Sequence, residues 1–137
     1  MPFTGPIEDR LAIRELYDAN ANGGSRGDRE EWLSVFAEDA RWKTHYFELN
    51  GRAEIAAKYD EIMGDVVDTK FFVQIGSIEV DGDTARVQLQ QDESLLFPDG
   101  STYDLLGAYD DVVVRRDGKW LIKDHVYIVK REKQPGQ

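Results

Sequence analysis

Cysteine is absent from the 137 residues, which removes disulfides and thiolate metal ligands together. Histidine occurs only at positions 45 and 125, and the carboxylates around them are scattered, so no metal-ligand spacing is present. Basic residues are in the minority: 17 Lys and Arg face 27 Asp and Glu, for a formal charge of -10. A polyphosphate backbone would be repelled by such a chain, and nucleic acid is not expected as a partner. No apolar run approaches the roughly 18 residues that a bilayer-crossing helix needs, and MPFTGPIEDR lacks a charged-then-apolar leader. The expectation is a cytoplasmic protein with no membrane partner. Gly23, Gly24 and Gly27 follow a helical pattern rather than a strand and have no Lys-Ser/Thr after them, which excludes a phosphate loop. With 4 prolines and no repeat or low-complexity tract, the chain reads as one domain over 1–137, with 133–137 as a frayed tail.

The first half is helical in pattern. Pro6 suits a first helical turn, and Ile7, Leu11, Ile13, Leu16 and Tyr17 gather on one face before Gly23-Gly24 interrupts them. Asp28, with Glu31 three residues later, has capping-box character ahead of a short run through Trp32, Leu33, Val35 and Phe36. A third helix is expected from about Gly51 to Gly64, with Ile55, Tyr59, Ile62 and Met63 on one side. Between the second and third helices, 40–49 reads as extended. From Thr69 the period changes to that of strands. Four segments, 69–80, 84–97, 102–116 and 119–131, are rich in β-branched and aromatic residues and are divided by Asp81-Gly82, Pro98-Asp99-Gly100 and Asp117-Gly118. Strands this long must twist and curl. The pattern predicts an α+β cone: three N-terminal helices packed on a strongly curved antiparallel sheet.

Several fragments carry a resemblance. Ile13-Arg-Glu-Leu-Tyr17, Gly27-Asp28, Phe36-Ala-Glu-Asp-Ala40, Trp42, Gly51, Glu54-Ile55-Ala56, Ile78 through Ala85 and Arg116-Asp-Gly-Lys-Trp120 keep, over nearly the whole chain, the order and spacing of the SnoaL-like branch of the NTF2-like superfamily, which the sequence resembles. The resemblance implies the cone and says little of the reaction, since one scaffold hosts many chemistries. Scytalone dehydratase and hexachlorocyclohexane dehydrochlorinase, lyases of this branch, use a histidine on the first long strand backed by an aspartate at the end of helix one. The same mapping puts Phe71 and Ser25 at those positions, and neither is a base. The aspartate of the similar ketosteroid isomerases is likewise missing; that neighbourhood here is Trp42-Lys43-Thr44.

The mapping brings His125 of the last strand to a pocket-lining position and makes it the first candidate for acid-base work. It surrounds His125 with Tyr17 and Asn20 from helix one, Trp42, Phe71 and Tyr109. In this reading Tyr109 and Asn20 hold a ligand oxygen while Trp42 and Phe71 exclude water. Asp124 does not orient His125, because strand neighbours point to opposite faces. Asp111 shares the face of Tyr109, and Asp110 points outward. Gln91 and Glu93 lie on the face of Val87 and Leu89, which makes them candidate pocket residues. A carboxyl such as Glu93 among apolar side chains would have a raised pKa. His45 is either a residue of the cone mouth or a solvated side chain.

The functional expectation is a pocket for a small apolar molecule, with a cofactor-independent lyase or isomerase acting on a cyclic or polyketide-like substrate. The alternatives are a non-catalytic carrier or sensor and a subunit-type interaction module. No cofactor and no metal are expected. Because Val112, Val113 and Val114 put apolar groups on both faces of one strand, a homodimer through the sheet face is expected as well.

Overall fold

The computed structural model describes residues 2–137. Helix α1 spans Ile7–Arg26. Pro6, at φ -56° and ψ 140°, sets its start, and Glu8 and Asp9 place negative charge where the helix dipole favours it. Gly23-Gly24 does not interrupt this helix. The chain turns only at Gly27, whose φ of 68° lets its N–H reach back to the carbonyls of Gly23 and Gly24. The two earlier glycines are small for another reason: α1 meets the next helix there. A Cβ on Gly23 would lie 2.5 Å from the Trp32 backbone nitrogen.

Asp28 caps helix α2, Arg29–Ser34, by accepting the Glu31 N–H at 3.2 Å. This helix is shorter than its apolar pattern suggested. Phe36 already belongs to strand β2, Phe36–Lys43, because it pairs in parallel with Ile122, whose N–H also reaches the Val35 carbonyl at 2.8 Å. Tertiary pairing thus overrides local helical spacing. The extended segment that follows continues into β3, Glu48–Asn50, and α3 occupies Arg52–Met63 as expected.

The four long strands are β4 (Asp68–Asp81), β5 (Thr84–Leu96), β6 (Thr102–Arg116) and β7 (Lys119–Lys133). They form the predicted antiparallel meander, set within a larger sheet. A two-residue strand β1, Phe3–Thr4, lies parallel to β4, and β2 lies parallel to β7, giving a mixed sheet of order β1-β4-β5-β6-β7-β2-β3. Register shifts at Ile75/Ser77, Leu106/Gly107 and Val112/Val113 bend the long strands. The three helices cover the concave face, and the closed part of the core is built from Ile13, Tyr17, Phe36, Ile55, Ile78, Val113 and Ile122, all fully buried. Arg115 ties this end together by donating to Asp9 and Asp83. The result is the α+β cone.

At Gly23 two effects of a methyl group compete. Alanine gains up to about 1 kcal/mol of helix propensity, whereas backbone contact with Trp32 cannot be relieved by turning a side chain. Overpacking of this sort costs about 1–3 kcal/mol, so Gly23→Ala is expected to lower the urea midpoint. An unchanged or higher midpoint would show that the α1–α2 contact is looser than described.

Candidate active site

A cavity of about 410 Å³ opens at the wide end of the cone, between the concave sheet face, the end of α1, Trp32 of α2 and one side of α3. Its walls are mostly apolar: Trp32, Trp42, Phe47, Tyr59, Ile62, Phe71, Leu95 and Leu105 line it. The alternation of the strands explains this. Phe71, Gln91, Tyr109, His125 and Tyr127 all point inward, while their neighbours Phe72 and Ile128 stand exposed on the outer face.

One wall carries a buried acid-base pair. His125 Nδ1 lies 2.7 Å from Asp111 Oδ2, and both side chains are almost completely hidden from bulk solvent. Asp111 also accepts the Tyr17 hydroxyl on the same oxygen at 2.7 Å and the Val126 N–H on Oδ1 at 3.1 Å. Three donors are what a buried carboxylate needs. A carboxylate can only accept, so Nδ1 is the nitrogen that donates to Asp111, and Nε2 is the ring nitrogen left over. The imidazole is clamped in place by the Tyr109 ring, stacked at 3.7 Å and 5°, and by the edge of Phe36 at 5.4 Å. Burial, with Asp111 next to it, pushes the Tyr17 phenol well above its ordinary range; burial, with Glu93 and Asp111 nearby, does the same to Tyr109. Both therefore remain neutral hydroxyls.

A second carboxyl lines the same cavity on β5. The Tyr127 hydroxyl donates to Gln91 Oε1 at 2.9 Å, and the Gln91 amide donates to Glu93 Oε1 at 3.3 Å. Removal from bulk water raises the Glu93 carboxyl from its ordinary 4.5 to about 7. At the mouth, Glu132 accepts the hydroxyls of Tyr103 and Tyr46, each at 2.6 Å, with His45 Nε2 at 3.3 Å. The donors from Tyr103 and Tyr46 hold the Glu132 carboxyl below the usual range. This carboxylate fixes the 44–47 loop, whose residues form the rim.

Of the residues singled out in the sequence, His125, Tyr109, Trp42, Phe71, Gln91 and Glu93 come together on the cavity wall, and His45 stands at its mouth. Tyr17 and Asn20 do not line it. Tyr17 sits behind the wall against Asp111, and Asn20 is buried with its amide donating to the Trp32 carbonyl at 3.0 Å. Asn20 is thus committed to joining α1 to α2 and is not free to hold a ligand oxygen. Trp42 Nε1 is buried without a partner among the described residues. Gln134, expected in a frayed tail, lines the rim and donates to the Tyr46 hydroxyl at 2.9 Å.

Asp111 is the residue whose role sequence reasoning missed. Its face was legible from its spacing to Tyr109, but its pairing with His125 was not. Counting back from the Arg116–Lys119 pair, an unbroken ladder would set Asp111 opposite Asp124; the bulge at Val112/Val113 sets it opposite His125 instead. The positions mapped to the relatives' histidine and aspartate are neighbours here. Ser25 Oγ donates to the Phe71 carbonyl at 2.6 Å and accepts the Phe71 N–H at 3.2 Å. Among the described residues, no cluster of three His, Asp or Glu could hold a metal, and no helix is long and apolar enough to cross a membrane.

Glu93 also affects stability. Between pH 4.5 and about 7 the unfolded chain releases this proton while the folded protein keeps it, so the folded state is increasingly disfavoured as pH rises and the penalty is constant above pH 7. Glu93→Gln carries no such penalty. Its stability relative to wild type should rise between pH 4.5 and 8 by on the order of 2–3 kcal/mol, measured by urea unfolding at each pH. A flat difference would place the carboxyl in bulk water.

Three solved structures share this fold. A crystal structure of a proposed aromatic ring hydroxylase from Novosphingobium aromaticivorans superposes with a TM-score of 0.87 at 23% identity, covering 96% of each chain. A proposed scytalone dehydratase from the same organism gives 0.83 at 21%, covering 93% of this chain and 87% of that one. A hexachlorocyclohexane dehydrochlorinase from Novosphingobium barchaimii gives 0.78 at 17%, covering 94% and 90%. At these identities the likeness is one of fold. No curated protein matches the sequence. The SnoaL-like domain model matches residues 6–125, which takes in all three helices and every strand from β2 through His125 of β7, and the chain accordingly belongs to the SnoaL-like domain family.

Proposed function

We propose that the cavity is the reaction site of a cofactor-independent lyase or isomerase acting on a small, largely apolar cyclic molecule. The observation that carries this reading is the 2.7 Å His125–Asp111 pair set into an apolar wall. A neutral imidazole whose Nδ1 donates to a carboxylate can take a proton from a bound molecule at Nε2. The imidazolium so formed is held by the charge of Asp111 and by the face of Tyr109, and the surrounding apolar walls strengthen both interactions. Tyr17 and the Val126 N–H hold Asp111 in place. The released electron pair then either expels a leaving group, as in a lyase, or accepts the proton back at another atom, as in an isomerase. Relatives of this fold described as a dehydratase and a dehydrochlorinase support the first outcome.

The alternative of a non-catalytic carrier is favoured by one observation. Phe71 and Ser25 occupy the positions mapped to the relatives' dyad and bond to each other. The homodimer reading rests on Phe72 and Ile128, exposed on the outward sheet face.

Proton exchange separates a catalyst from a carrier without knowledge of the natural substrate. The wild-type protein in heavy water should speed loss of the α-protons of 1-indanone, followed by NMR. His125→Ala should reduce that acceleration by roughly 10²–10⁴-fold, and Asp111→Asn should reduce it as well while leaving indanone affinity within about threefold. Equal rates in wild type and His125→Ala would remove His125 from the chemistry and overturn the catalytic reading.

A further inference from the structure

We propose that Glu93 recognises the oxygen of the substrate, donating its carboxyl proton to a ring ketone at the end of the cavity away from the His125–Asp111 pair. The substrate class is then an oxygenated ring, and a plain hydrocarbon or halocarbon is disfavoured. The inference rests on the reading of the cavity as the reaction site and adds the second contact that site requires.

The geometry of one amide carries the argument. The Tyr127 hydroxyl donates to Gln91 Oε1, and the Gln91 NH₂ donates to Glu93 Oε1. Oε1 is thereby the acceptor of the pair. Oε2 has no protein partner among the described residues, and it is not sealed in the interior, so it opens onto the cavity that Glu93 lines. An unpartnered carboxyl oxygen in an apolar wall has two ways to be satisfied, by water or by a polar atom of the guest.

The two polar ends are also well separated. Glu93 faces Leu105 across β5–β6, whereas His125 faces Asp111, six residues further along β6 and on the opposite side of that strand. A ring lying between Phe71, Leu105 and Tyr109 would present its oxygen to Glu93.

The protonated state follows from the surroundings. The ionisable groups facing Glu93 are the phenols of Tyr109 on β6 and Tyr127 on β7, both held neutral by burial, with Asp111 and His125 beyond Tyr109. Lys58 on α3 and His45 on the 44–47 loop line the same cavity, but Lys58 is paired with Glu61 and His45 with Glu132. No cation faces the carboxyl closely enough to offset its loss of water, which is why it titrates near 7.

Isothermal calorimetry with a matched pair of probes tests this, using 1-indanone and its hydrocarbon parent indane between pH 6 and 8.5. The wild type should bind indanone more tightly at pH 6, weakening roughly five- to tenfold by pH 8.5, while indane shows no change. Glu93→Gln, which keeps an N–H donor, should retain the preference for indanone and lose its pH dependence. Glu93→Leu should lose the preference altogether. Equal affinities for the two probes at pH 6, no saturable indanone binding, or a pH dependence that survives in Glu93→Gln would overturn the inference. The assay needs no turnover: Glu93-dependent ketone binding without proton exchange would sink the catalytic reading alone, and exchange without that preference would sink this inference alone.

Discussion

A carboxylate inside a protein must find donors for its oxygens. Asp111 meets that condition with contributions from two elements far apart in sequence: Tyr17 of α1, and His125 and the Val126 N–H of β7. The same three bonds pin α1 against the middle of the sheet and hold the imidazole at one angle. Removing any one donor leaves a buried oxygen that the other two cannot fully satisfy. Packing at the closed end of the cone and chemistry at its open end therefore depend on one side chain.

How much of this was legible in the sequence varies from element to element. The long strands and the turns between them could be read because Asp-Gly pairs and β-branched runs are local signals, and the meander follows from them. Helix α3 and the cap at Asp28 were readable for the same reason. What escaped was decided at a distance. Phe36 left a helical pattern because Ile122, 86 positions on, was available to pair with it. Gly23 and Gly24 look like a break when read alone, yet they lie inside α1 because Trp32 and Phe71 pack against them.

The candidate site shows the same division. Its wall residues were found through strand alternation and the family resemblance. Its central pair was not, since a single-residue bulge decides whether Asp111 meets Asp124 or His125. A one-residue change of register carries no marker in the local sequence. Asn20 was misread for a related reason, its amide being committed to a backbone carbonyl that only the packing of α1 on α2 brings near. The two carboxyls of the site, Asp111 and Glu93, sit on neighbouring strands in opposite circumstances. One is saturated by donors, and the other is offered a single amide. Environment, not residue type, assigns them different parts.

The aromatic lining has one more consequence. Trp32 and Trp42 both border the cavity, and the Trp42 ring lies 6.2 Å from His125. Trp120 stands apart, with its indole nitrogen on Asp9 and the Arg115 guanidinium over its ring. Two of the three indoles therefore sense the site, and a protonated imidazole is an efficient quencher of their emission. The molecule carries a built-in optical probe, through which arrival of a guest and charging of the imidazole could be followed in real time without any label.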